Sequence, residues 1–131
     1  MNSGKSEIVL DSSAVLAVLR KEIGHEKVLQ VIARSLISVV NEAEVITVLI
    51  RKGDSVSKAM EAVRVLPYAV ANLDREQASR AGALWRESKA RGLSLGDRCC
   101  LALAEREGLP VLTSDKRWAD LSFGVEVRLF K

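Results

Sequence analysis

Ile8-Val9-Leu10-Asp11-Ser12-Ser13-Ala14 runs three aliphatic residues into a carboxylate and two hydroxyls. Three consecutive apolar residues with no polar alternation predict a short strand buried on both faces, as in parallel sheets. The acid then falls at the carboxyl end of that strand. Ser12 and Ser13 predict the cap of a helix carrying Val15, Leu16, Val18 and Leu19. A strand, an acid at its end and a helix directly behind it form the first half of a strand–helix–strand unit.

The same order repeats along the chain. A second helix follows Gly24, with Val28, Leu29 and Ile32 on one face. Leu36 to Val40 predicts the next strand, and Asn41 opens a strongly apolar helix that reaches about Lys52 and ends at Gly53. Asp54 is expected to cap a helix with Val56, Ala59, Met60 and Val63 at i, i+3, i+4, i+7 spacing, stopped by Pro67. Tyr68 to Leu73 predicts a third strand. Arg75 to Arg91 reads as one long amphipathic helix with Ala78, Ala81, Leu84, Trp85 and Ser88 inward. Asp97, after a turn at Gly96, is expected to open a helix to Glu107 with Cys100, Leu101 and Ala104 on one face. Pro110 starts the strand Val111-Leu112-Thr113. A short helix from Lys116 to Leu121 is expected to pack through Trp118. Val125 to Phe130 alternates Val125, Val127 and Leu129 against Glu126 and Arg128, which predicts an edge strand with one wetter face.

Strands separated by helices specify an α/β fold: a three-layer domain with a central parallel sheet of about five strands and helices on both faces. Ligand sites in such sheets lie outside the carboxyl ends of the strands. The 131 residues are expected to form one domain, residues 1–131, and a chain of that length buries enough surface to fold without a disulfide or a structural metal. A charged fraction of 28% beside 48% hydrophobic residues excludes a disordered or fibrous chain. Twenty Lys and Arg against 17 Asp and Glu leave a net charge of +3, which permits a nucleic-acid partner without requiring one. Cys99 and Cys100 are adjacent, cannot readily pair with each other and lack zinc-site spacing, so they read as buried core residues in a reducing compartment. No apolar run reaches the roughly 18 residues that span a membrane. Met1 to Ser6 is polar and carries no signal-peptide core. The expected location is therefore cytoplasmic, with no membrane partner.

Acids mark the strand ends and helix starts. Asp11 follows the first strand, Asp115 follows Val111-Leu112-Thr113, and Asp97 crowns the buried stripe of its helix. Glu44 sits within the apolar run Ala43 to Ile50, where a glutamate is out of place, and neighbouring Glu42 is a rival that periodicity does not exclude. Each aspartate alone reads more readily as a helix cap, worth about 1 kcal/mol. Together they converge on one end of one sheet, with no basic residue so placed that it must neutralise them all. Packed like charges repel unless cations bind. Carboxylate oxygens are hard ligands suited to Mg²⁺ or Mn²⁺. The chain holds no GxSxG, P-loop or GxGxxG, and its single histidine, His25, falls on a surface helix. Carboxylate-and-metal chemistry is what remains.

Four pieces, Val9-Leu10-Asp11-Ser12-Ser13-Ala14, Ile37-Ser38-Val39-Val40-Asn41-Glu42-Ala43-Glu44-Val45, Leu93-Ser94-Leu95-Gly96-Asp97-Arg98 and Pro110-Val111-Leu112-Thr113-Ser114-Asp115, stand in order along nearly the whole chain. This pattern resembles the PIN domain, and in particular the toxin nucleases of VapBC toxin–antitoxin pairs. The resemblance implies strand order 3-2-1-4-5, with Asp11 and Asp115 on neighbouring strands. It implies Asp11 and Asp97 as leading metal ligands, chooses Glu44 over Glu42, and puts Asp115 in the fourth acidic position. Ser13 and Thr113 match small hydroxyl positions beside the metals, where they would orient a carboxylate or a water; local turn and capping bonds explain them equally well. Arg98, Lys116 and Arg117 flank proposed ligands and are the candidate RNA-phosphate contacts, against the plain alternative of solvated surface charges. Asp120 reads as surface. The resemblance further implies a small antitoxin covering the site and a toxin homodimer, possibly within a larger toxin–antitoxin hetero-oligomer.

The expected function is thus a metal-dependent endoribonuclease, with RNA as substrate. One rival is a PIN-like RNA-binding domain whose acids hold a structural ion. Another is a Mg²⁺-dependent phosphoryl-transfer domain; phosphatases of that kind want Asp-x-Asp, which Asp11-Ser12-Ser13 lacks, and receiver domains want a late strand-end lysine that Lys116 stands too near Asp115 to supply.

Overall fold

The computed structural model describes residues 6–121 and 124–131. The polar Met1–Lys5 stretch, expected to carry no signal, lies outside the described residues. The five strands are β1 (Ile8–Leu10), β2 (Ser35–Ser38), β3 (Ala69–Ala71), β4 (Val111–Thr113) and β5 (Val127–Leu129). They form one wholly parallel sheet in the order β3-β2-β1-β4-β5. Leu10 of β1 faces Ile37 of β2 on one side and Leu112 of β4 on the other. The carboxyl ends of β1 and β4 therefore lie side by side, at the point where the strand order reverses.

Side-chain alternation along β1 divides the core. Ile8 and Leu10 join one buried layer, with Val15 of α1 (Ser12–Arg20), Val28 of α2 (His25–Leu29), Val45 and Leu49 of α3 (Val39–Arg51), and Ala59 and Val63 of α4 (Val56–Arg64). Val9 joins the other, with Ala81 of α5 (Arg75–Ala83), Cys100, Leu101 and Leu103 of α7 (Leu95–Glu107), and Trp118. Cys99 and Cys100 are free and buried, as expected. Each fully buried leucine or valine contributes about 1.5–3 kcal/mol through its apolar area. Among the described residues no helix is long and apolar enough to cross a membrane.

Several boundaries differ from the sequence expectation. β2 stops at Ser38, and Val39 and Val40 are helical, because the Ser38 hydroxyl accepts the Val40 N–H and caps α3. Tertiary placement there overrides the strand preference of two valines. Ser55, not Asp54, caps α4 through the Lys58 N–H. The long helix expected over Arg75–Arg91 breaks into α5, α6 (Trp85–Ser88) and a 3-10 turn at Lys89–Arg91. Its inward face runs through Gln77, Ala81, Leu84 and Ser88, so Ala78 is exposed and Trp85 is 54% exposed, with the Lys89 Nζ 5.0 Å from its ring. Gly96 is not a turn but a residue of α7, which starts at Leu95 behind a Ser94 cap. Only a 3-10 turn, Lys116–Trp118, forms after β4, with Trp118 fully buried as expected. In the edge strand β5, Leu129 is exposed and the neighbouring Phe130 is buried instead, packed against the Gly24 turn.

Candidate metal centre

Asp11 leaves the end of β1, and its backbone N–H is tied to Leu112 of β4. Its side chain is buried, only 4% exposed. It occupies the N-cap position of α1 yet makes no capping bond. Its carboxylate accepts hydroxyls instead: Ser13 and Thr113 each donate to Oδ2 at 2.7 Å, and Ser12 to Oδ1 at a long 3.4 Å. Both main donors are themselves held by backbone. Ser13 Oγ accepts the Ser114 N–H at 3.1 Å, and Thr113 Oγ1 accepts the Asp115 N–H at 3.0 Å. The two readings of these hydroxyls are therefore realised together: one bond of each fixes the turn after β4, and the other aims the Asp11 carboxylate. Burial pushes the Asp11 pKa up, the Ser13 and Thr113 bonds work against that, and the charge of Asp97 adds to it. Among the described residues Asp11 makes no ion pair.

Glu44 lies one helix over. Asn41, buried at the start of α3, donates Nδ2 to Glu44 Oε1 at 2.9 Å and to the Gly96 carbonyl of α7 at 3.1 Å. Both of those partners are acceptors, which fixes the orientation of the amide; its Oδ1 is buried without a hydrogen-bond partner. Gly96 lacks the side chain that would fill this corner, since a Cβ there would fall onto the Glu44 carboxylate. The glutamate therefore rests directly on the first turn of α7, where the helix dipole favours an anion. Burial raises its pKa, the Asn41 bond lowers it, and Asp11 and Asp97 raise it further. The two glutamates of α3 are thus separated. Glu42 accepts the Tyr68 hydroxyl at 2.7 Å, while Glu44 faces the aspartates.

Asp97 is the third residue of α7, in a capping box with Ser94: the Asp97 N–H donates to Ser94 Oγ and the Ser94 N–H to Asp97 Oδ2. Asp115 follows β4 and is held by Arg117. The guanidinium gives Nε to Oδ1 at 3.0 Å and Nη2 to Oδ2 at 2.6 Å, which holds the carboxyl below its usual range. Arg117 also stands 3.8 Å from Asp97 Oδ2 and donates Nη1 to the Arg91 and Gly92 carbonyls at 3.1 Å. A neutralising base had not been expected here. Arg98, the other flanking arginine, points away from the acids and donates to the Ser94, Ala81 and Gly82 carbonyls. Lys116 and Asp120 are exposed.

Among the described residues no three His, Cys, Asp or Glu side chains are arranged to hold a metal ion as they stand. Asp97 and Asp115 are turned toward Arg117. The donor chemistry nevertheless fits a hard divalent cation. Among the described residues neither Asp11 nor Glu44 has an ion-pair partner, burial and then acidic neighbours push both pKa values up, and every candidate donor is a carboxylate oxygen. The structure exposes two positions that sequence reasoning did not single out for a site role, Asn41 and Gly96, and it turns Arg117, expected at phosphate, onto Asp115. Asn41 and Gly96 lie in motifs quoted above, but their roles depend on contacts across 55 residues of chain.

A groove of about 440 Å³ opens along α3 beside Glu44, lined by Ser12, Val40, Ala43, Thr47, Val48 and Arg51. No curated protein matches the sequence. Solved structures are similar in fold. The DNA-bound VapBC of Salmonella typhimurium matches at 18% identity and TM-score 0.76, over 96% of this chain and 99% of that one. A toxin–antitoxin complex from Klebsiella pneumoniae matches at 21% and 0.72, over 95% and 98%. VapC20 of Mycobacterium tuberculosis, described as a sarcin–ricin-loop-cleaving toxin, matches at 18% and 0.71, over 88% and 93%. The family model for the PIN domain matches residues 8–124, and the chain belongs to the PIN-domain family.

Proposed function

We propose that this chain is a metal-dependent endoribonuclease, the toxin of a type II toxin–antitoxin pair. The single observation that carries the reading is Asp11: a buried carboxylate held by neutral donors, with no ion pair among the described residues, beside Glu44 and Asp97, at the switch point of a parallel sheet. A charge placed that way costs stability unless a cation completes it. Asp11, Glu44 and Asp97 would hold Mg²⁺ or Mn²⁺, with Asp115 as the fourth, more exposed ligand. Bound there, the ion would supply an activated water and neutralise charge on the phosphodiester, giving 5′-phosphate and 3′-hydroxyl ends. The chain's own work is placement. Ser13 and Thr113 aim Asp11, Asn41 holds Glu44 against α7, and the capping box fixes the first turn beneath Asp97. Lys116, exposed beside Asp115, and Arg117 are the phosphate contacts in this reading; Arg98 is committed to backbone carbonyls.

The similar structures include complexes of toxin with antitoxin, which supports a cognate antitoxin for this chain. The groove along α3 is of the kind that accepts an amphipathic helix. A homodimer is part of the same reading, checked by light scattering at micromolar concentration.

The test is cleavage of total cellular RNA by purified protein with Mg²⁺, with Mn²⁺ and with EDTA. Discrete metal-dependent fragments are expected from the wild type. An Asp97→Asn protein that cleaves as well as wild type would remove Asp97 from the site. Binding of RNA without any product, by folded metal-loaded protein, would establish a binding domain instead.

A further inference from the structure

Arg117 uses every nitrogen of its guanidinium. Nε and Nη2 grip Asp115 as a fork, Nη2 reaches toward Asp97, and Nη1 is shared by two carbonyls of the connection that leads into α7. The fork is half exposed, since the Arg117 side chain keeps 51% of its accessible surface. Such pairs are weak and exchange readily. The oxygens it holds are among those that the proposed function assigns to a divalent ion. A guanidinium and a divalent ion cannot both occupy Asp115 Oδ2 and the gap to Asp97 Oδ2.

We propose that Arg117 is a built-in competitor of the metal: it occupies the outer half of the carboxylate cluster, and divalent-ion binding requires its release from Asp115 and Asp97. This rests on the reading of the acids as a metal site and adds what sets the site's affinity. Three acids act on the guanidinium, Asp115 first, then Asp97 and Asp11, so it is held by more than its one clasped partner. The coupling is reciprocal: whatever draws Arg117 away, such as an anion at the mouth of the site, tightens the ion, and the ion frees Arg117. The inner half, Asp11 and Glu44, makes no hydrogen bond or ion pair with the arginine among the described residues. Arg117 therefore grades affinity without abolishing it.

The experiment is calorimetric titration of Mn²⁺ into EDTA-stripped, dialysed full-length protein, with no RNA present. Arg117→Gln is expected to bind Mn²⁺ about threefold to fivefold more tightly than wild type, the scale of a half-exposed pair. Arg117→Lys keeps the charge but loses the fork, so its gain is smaller. Arg91→Gln removes an equal charge from a neighbouring side chain that bonds the Asp120 carbonyl, and its affinity should stay within about twofold of wild type. Unchanged or weaker binding by Arg117→Gln overturns the proposal while leaving the metal site intact. An equal gain in Arg91→Gln also overturns it, because the effect would then be one of general field. Should Arg117→Gln fail to fold by circular dichroism, Arg117→Lys decides: binding no tighter than wild type overturns the proposal. Absence of Mn²⁺ binding in wild type and all variants alike overturns the metal-site reading itself, and this inference with it.

Discussion

Asp11 and Asp115 stand at the carboxyl ends of adjacent strands, yet their surroundings are opposite. Asp11 is buried, is held by neutral hydroxyls, and has its pKa pushed up. Asp115 is partly exposed, is clasped by an arginine, and has its pKa pulled down. Two chemically identical side chains on one sheet edge thus carry different electrostatic states: one lacks a counter-charge and the other already has one. The contrast teaches that strand-end position nominates a residue for a site, but the neighbouring turn decides its role.

The largest break in that contrast should come from removing each carboxylate in turn. Asp11→Asn is expected to lower metal-dependent RNA cleavage about a thousandfold, the several kcal/mol that metal-borne charge stabilisation supplies. Asp115→Asn should lower it far less. Equal losses in the two variants, measured as initial cleavage rates at saturating Mn²⁺, would erase the distinction. Next in size is Thr113→Val, which keeps the volume and deletes the hydroxyl between the two acids. Ion affinity should fall about tenfold to a hundredfold, as when an outer-shell orienting group is lost, and calorimetry reads the change. Smaller again are the melting temperatures without divalent ions, and here the signs should oppose. Asp11→Asn removes a buried carboxylate whose charged form burial disfavours and should raise the melting temperature. Asp115→Asn breaks the Arg117 pair and should destabilise by less than about 1 kcal/mol.

The smallest expected effect is on a clasped carboxylate far from the site. Arg80 of α5 forks onto Glu105 of α7 at 2.7 and 2.8 Å and lowers its pKa. A carboxyl lowered in the folded state stabilises above its unfolded value of about 4.3 and loses that contribution as pH falls through the folded value. The stability difference between wild type and Glu105→Gln should therefore shrink on acidification from neutrality, starting from under about 1 kcal/mol for so exposed a pair. Denaturant melts at several pH values check it; a difference that grows toward acid would contradict the assigned direction.

The sheet was legible because β1, β2 and β4 are short, apolar and buried on both faces, a signal that survives without tertiary context. Asp11 and Asp115 were legible as strand-end acids for the same reason, whereas Glu44 was set apart from Glu42 only by the family resemblance. What the sequence concealed was phase and partnership. Along α5 and α6, Ala81, Leu84 and Ser88 are buried as expected, but Gln77 replaces Ala78 and Trp85 is exposed, because small and polar side chains dominate that segment. Ser94 could have signalled the start of α7, as a Ser followed three residues on by an acid is a capping signature. The Arg117 clasp had no such signal, because a basic residue two positions after an acid looks the same whether it turns to solvent or back onto the carboxylate.

Asn41 ties together parts that belong to different halves of the molecule. Its helix, α3, packs in one core layer, and the carbonyl it grips belongs to α7, in the other. A single amide thus works as a tie rod across the seam, anchored beside Glu44 at one end and one residue before Asp97 at the other. The groove along the outside of α3 lies on the near end of that rod. The groove and the acids thus share a residue, because Glu44 lines the one and belongs to the other.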